Sequence, residues 1–163
     1  MAGPILKFLA ADHERLDALL ASAVTPSGEV DRASYEDLRA GLLRHIGIEE
    51  KILFPAIKGE IDKSIIARLH REHGALALLL VPTPTAAIIE EIRSILIGHN
   101  EREEGAGGVY ASCDGLSAGD VAAALDAMRA YPAVKLAPHF DGPDVPRTAE
   151  EAMRAVSRRN PLP

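Results

Sequence analysis

One polar pattern occurs twice along this chain, and both copies lie on segments of helical period. Asp12-His13 is followed by Leu16, Leu19 and Leu20, and Glu72-His73 by Leu76, Leu79 and Leu80. His45-x-x-x-Glu49-Glu50 is matched in turn by His99-x-x-x-Glu103-Glu104. Each half of the repeat is therefore one segment with an acid–histidine pair and one with His-x-x-x-Glu-Glu. Residues i and i+4 sit one turn apart on the same helix face. Each His–Glu pair thus aims a nitrogen and a carboxylate at one locus. Leu42, Ile46 and Leu53 flank the first pair, and Ile92, Ile95 and Leu96 precede the second, which places that locus inside. Buried imidazole and carboxylate cost free energy unless they are paired or bind a metal. A repeat that carries the same polar residues is more than packing requires.

The apolar spacing predicts four long helices: about Ile5 to Val24, Arg32 to Lys58, Asp62 to just before Pro82, and Thr85 to the Gly105–Gly108 run. Pro55 marks a kink or early stop near the end of the second, and Asp62 is a cap for the third. Two shorter helices follow, Ala118 to Tyr131 and Ala149 to Arg159. Ser117 and Asp120 open the first of these, and Thr148 with Glu151 forms a capping box on the second. The stretch 132–147 is proline-rich and reads as loop. Similar helices joined by short turns predict an all-α, up-and-down four-helix bundle over residues 1–115. A short helical extension, residues 116–163, packs on it.

Composition narrows the function. Of 163 residues, 47% are hydrophobic, 26% charged and only 4% aromatic, so the core rests on Leu, Ile, Val and Ala. A net charge of −6 argues against binding nucleic acid through its phosphates. The longest apolar run, Ala75 to Val81, is too short to span a bilayer. The N-terminal segment lacks the basic region of a signal peptide. The expectation is a cytoplasmic protein with no membrane partner. The single cysteine, Cys113, excludes a disulfide framework and a Cys-rich zinc site.

Five of the six histidines fall within the four long helices. His45 with Glu49, His99 with Glu103, and His13 with His73 make a cage for two metal ions. Imidazole with carboxylate suits iron, and also zinc or manganese. Carboxylates can bridge two ions, and Glu49 and Glu103, one from each half, are the natural bridges. His70, three residues before His73, is read as a ligand, a group behind the ligands, or an exposed residue. Glu50 and Glu104 lie one position off the inward face and read as solvated or as supports for the ligands. Tyr110 reads as packing ahead of an approach to the end of the site, and His139 as a surface residue in the proline-rich loop.

These segments resemble the hemerythrin-like (HHE cation-binding) family. The resemblance lies in DHERLDALL (Asp12–Leu20), HIGIEEKILFP (His45–Pro55), LHREHGAL (Leu69–Leu76) and HNEREE (His99–Glu104), with Val109-Tyr110 echoing a trailing aromatic. It covers about residues 5 to 115. It implies a non-haem di-iron centre, oxo- or hydroxo-bridged, in a four-helix bundle. His13, His45, His73 and His99 would be nitrogen ligands, and Glu49 and Glu103 would bridge the irons. Two departures separate this chain from the oxygen carriers. Those have His-x-x-x-His on the third helix, where this chain has Leu69 and a displaced His70. They have His-x-x-x-x-Asp on the fourth, where this chain has His-x-x-x-Glu.

Two octahedral irons offer about twelve positions, of which two bridging carboxylates take about four and an oxygen bridge about two. Four histidines then leave about two positions open, and five leave about one. The more open count favours binding or sensing of a small diatomic ligand (O2 or NO) or peroxide, or a response to iron. The alternatives are a di-iron enzyme, peroxidase- or catalase-like or an oxidase, and a metal-stabilised structural or partner module. The reading favours a metal- and ligand-binding protein over an enzyme. The oligomeric state and the role of residues 116–163 are left open by the sequence.

Overall fold

The computed structural model describes residues 2–159. Met1 and residues 160–163, the outer ends of the two segments expected above, lie outside the described residues. Helices account for the architecture, and the one β-bridge among the described residues, Val24 to Val30, closes the first interhelical turn.

Four long helices dominate: α1 (Pro4–Ser22), α2 (Arg32–Ile48), α3 (Lys63–Leu79) and α4 (Ala86–Glu104). Their starts follow from short polar side chains that accept the otherwise unpaired first-turn N–H groups. Asp31 accepts from Ser34 N at 2.8 Å, Asp62 from Ser64 N at 2.7 Å, and Thr85 from Ile88 N at 3.2 Å. α1 has no cap of its own. Asp114, 109 residues away from Ile5, accepts from Ile5 N at 2.8 Å and Leu6 N at 3.1 Å.

The second helical segment departs from its sequence pattern. Regular α-helix ends at Ile48, a π-helical turn spans Glu49–Leu53, and one more turn covers Phe54–Ala56. The interruption therefore precedes Pro55. Proline has no N–H to give the Lys51 carbonyl and its ring crowds that group. The wider turn, in which Phe54 N–H reaches Glu49 O, relieves this.

Three short helices complete the chain: α5 (Val109–Asp114), α6 (Ala118–Ala130) and α7 (Ala149–Arg159). α5 was not foreseen. Gly107 takes φ +76°, which favours glycine. A Cβ on Gly108 would stand 2.6 Å from Glu103 O. The turn thus folds α5 back against the end of α4. α6 packs beside α1 and the π turn, and α7 lies along α3 and touches α4. Thr148 caps α7 through Glu151 N, and Glu151 accepts in return from Arg147 N.

Two apolar layers make up the core. One gathers Leu16, Leu20, Leu38, Leu42, Leu76, Leu79, Ile89 and Ile92, with Ala152 of α7. The other gathers Ile5, Leu9, Ile48, Leu53, Leu69, Val109, Tyr110 and Met128. Buried histidines and glutamates occupy the space between them.

Candidate metal centre

α1, α2 and α3 each carry a histidine at the point where the helix passes from one apolar layer to the other, and α4 carries His99 and Glu103 just past first-layer Leu96. On α1, His13 follows Ile5 and Leu9 and precedes Leu16 and Leu20. On α3, His73 lies between Leu69 and Leu76. His13, His45, His73 and His99 are 5%, 2%, 2% and 2% exposed, and Glu49 and Glu103 are fully buried. The structure brings these six expected residues together.

They form two pairs. His13 Nε2 and His45 Nε2 are 2.9 Å apart, and His73 Nε2 and His99 Nε2 are 3.2 Å apart. Each glutamate spans both. Glu49 places Oε1 3.6 Å from His45 Nε2 and Oε2 3.1 Å from His73 Nε2. Glu103 places Oε2 3.5 Å from His13 Nε2 and Oε1 3.1 Å from His99 Nε2. Glu49, His73, His99 and Glu103 can therefore close on one ion, and His13, His45 and Glu103 on another.

The opposite ring nitrogens are all engaged. His45 Nδ1 donates to Asp12 at 2.8 Å, and His99 Nδ1 to Glu72 at 3.0 Å. His73 Nδ1 donates to Glu50 at 2.6 Å, and His13 Nδ1 donates to Glu104. The pattern follows the repeat. Asp12 and Glu72 serve the histidine of their own half, while Glu50 and Glu104 cross to the other half. A carboxylate on Nδ1 fixes the tautomer that turns the Nε2 lone pair inward. Two lone pairs at 2.9 Å repel unless a cation lies between or beside them, so the donor set fits a metal. The carboxylates say the same: Glu49 Oε2 and Glu103 Oε1 are buried with no hydrogen-bond partner.

Electrostatics agree. Burial pushes the His45 imidazole down, but the charge of Glu49 and the Asp12 hydrogen bond outweigh it and hold it up at about 10. Burial also opposes His99, which Glu103 holds up at about 9. Asp12, Glu50 and Glu72 resist burial through their hydrogen bonds to imidazole and lie at about 2. A locus that draws protons this strongly is one where a metal cation competes for the same nitrogens.

His70 is not part of the cluster. Its side chain is 46% exposed and donates from Nδ1 to Glu50. Leu69, where the oxygen carriers have histidine, is fully buried in the second apolar layer. Tyr110 takes both roles weighed for it in the sequence. Beyond packing, its hydroxyl lies inside the cluster, 2.6 Å from Glu49 Oε1 and 3.0 Å from Glu103 Oε2. The signal was its place two residues past the glycine turn that follows Glu103-Glu104. Asp12 and Glu72 were visible as members of the repeat, but their partners lie on other helices. His139 is partly buried and meets Glu36 at 2.5 Å.

A helical bundle with a buried His/Glu cluster of this kind defines a metal-cation-binding protein. Residues 5–108 match the hemerythrin HHE cation-binding domain, and the chain belongs to that family. No curated protein and no solved structure matches it. Among the described residues, no helix is long and apolar enough to cross a membrane.

Proposed function

We propose that the chain is a non-haem di-iron protein that binds or senses a small ligand, O2, NO or peroxide, or responds to iron. His13, His45, His73 and His99 supply nitrogens, and Glu49 and Glu103 bridge. The observation that carries this reading is that each glutamate presents one oxygen to each histidine pair. Bound iron would supply reversible one-electron chemistry and affinity for such ligands. The chain's own residues bury the locus, fix the tautomers through four carboxylates and limit access.

Access supports a small ligand. A cavity of about 10 Å³ touches His13, His45 and His99 between Leu16, Leu42, Ile46 and Leu96. Asn100, whose buried Oδ1 has no hydrogen-bond partner, also lines it. That volume is about one water, which suits a diatomic and excludes an organic substrate at rest.

We also read the four long helices as an up-and-down bundle in residues 1–115. α1 and α3 run from the second apolar layer to the first, α2 runs from the first to the second, and α4 starts in the first and ends at the cluster. The described part of the 116–163 extension, residues 116–159, is then a cover. α7 closes α3, and Arg39 ties residue 137 of the connecting loop to the end of α3 through Ala137 O and Leu80 O, both at 2.9 Å. We place the protein in the cytoplasm.

The test is metal content and the visible spectrum in air of protein purified without a metal-affinity tag, before and after azide. About two irons per chain with azide-sensitive bands is the expected result. Zinc alone, or no metal after iron reconstitution, overturns the reading.

A further inference from the structure

Tyr110 is fully buried, and its oxygen sits among four polar atoms. It lies 2.6 Å from Glu49 Oε1, 3.0 Å from Glu103 Oε2, 3.2 Å from His13 Nε2 and 3.3 Å from His45 Nε2. A phenol has one proton to donate, so it serves one of the two carboxylates at a time. All four neighbours are the atoms that would hold the ion of the His13–His45 half. Their mutual distances, 2.9 Å between the nitrogens and 3.5 Å from His13 to Glu103, are of the same size as their distances to the phenol oxygen. Tyr110 is one more donor around the same volume, not a lid above it.

We propose that Tyr110 binds this ion as a phenolate, making the His13–His45 half richer in donors than the His73–His99 half. The inference rests on the two-metal reading above. Coordination replaces the phenol O–H bond by an oxygen–metal bond; the proton leaves to solvent and no electron changes hands. Three features converge on it. The Gly105–Gly108 turn folds α5 back so that this ring reaches the cluster. Tyr110 reaches Glu49 Oε1 and Glu103 Oε2, while the unpartnered atoms are Glu49 Oε2 and Glu103 Oε1, both on the His73–His99 side. The ring enters from the second apolar layer, whereas the 10 Å³ cavity lies among first-layer side chains. That cavity is bordered by His13, His45 and His99, and so touches both halves of the cluster.

The experiment loads the metal-free full chain with ferric citrate, for wild type and Tyr110→Phe. It records iron content, the visible spectrum and the resonance Raman spectrum. The expected wild type holds two irons and shows a phenolate-to-iron charge-transfer band with phenolate ring modes. Tyr110→Phe holds iron and lacks both. Should the variant fail to fold or load, wild type grown with ring-deuterated tyrosine decides, because true phenolate modes then shift. Two irons without phenolate modes, or modes that persist in Tyr110→Phe, overturn the inference and leave the two-metal reading standing. A wild type that takes up no iron overturns both.

Discussion

The chemistry of this protein rests on matched roles for residues at equivalent positions of a repeat. Four imidazoles turn one nitrogen inward because four carboxylates hold the other. Asp12 and Glu72 are each fastened in turn, Asp12 by Arg15 at 2.8 Å and Glu72 by Arg68 and Arg102. Loss of such a support lowers metal affinity by about 10–100-fold. Asp12→Ala and Glu72→Ala are each expected to lose that much in chelator competition, with iron content per chain unchanged at saturation. His70→Ala is the contrast. Its ring is half in solvent, pairs with Glu50 and packs T-shaped on Phe54 with centroids 5.2 Å apart. It should keep both irons and its affinity, and loss of one iron from this variant would make His70 a ligand after all.

At the scale of elements, the unusual features are the π turn and the glycine turn. The π turn lets consecutive residues serve one ring, Glu49 reaching His73 Nε2 and Glu50 reaching His73 Nδ1. Phe54, just past it, stacks on His73 with centroids 5.6 Å apart and planes within 5°. The glycine turn brings α5 back. Gly108→Ala forces a methyl against the carbonyls of Glu103 and Arg102. Such overpacking costs about 1–3 kcal/mol, readable as a lower denaturant midpoint, and the visible spectrum should change because Tyr110 moves with α5. The long helices were legible because their apolar spacing, caps and terminal glycines agree with one another. The six clustered residues were legible because the repeat doubled a pattern that is weak alone. α5 and the π turn were not. A six-residue helix has no period to read, and a π turn depends on how strain from Pro55 is shared upstream. The cross-helix supports, like the Asp114 cap on α1, join residues that only the fold brings near.

Taken whole, the molecule is acidic and concentrates carboxylates at its centre. Bound cations offset that charge, so binding contributes to folding stability. Stripping the metal with a chelator is expected to lower Tm, and restoring iron to raise it again; an unchanged Tm would separate the centre from the fold. The cover is the second whole-molecule feature. Arg39 is 6% exposed and joins α2, the end of α3 and the loop before α7. Arg39→Ala leaves the Leu80 and Ala137 carbonyls without this donor, at a cost of about 1–3 kcal/mol. Thermal unfolding would show it, with iron content unchanged because Arg39 lies away from the cluster.

The most direct measurement is an anomalous difference map at the iron edge from crystals of the iron-loaded chain. Two peaks are expected, one beside His13 and His45 and one beside His73 and His99, with Glu49 and Glu103 lying between them. A single peak, or density at the exposed His70–Glu50 pair in place of the buried cluster, would contradict the account.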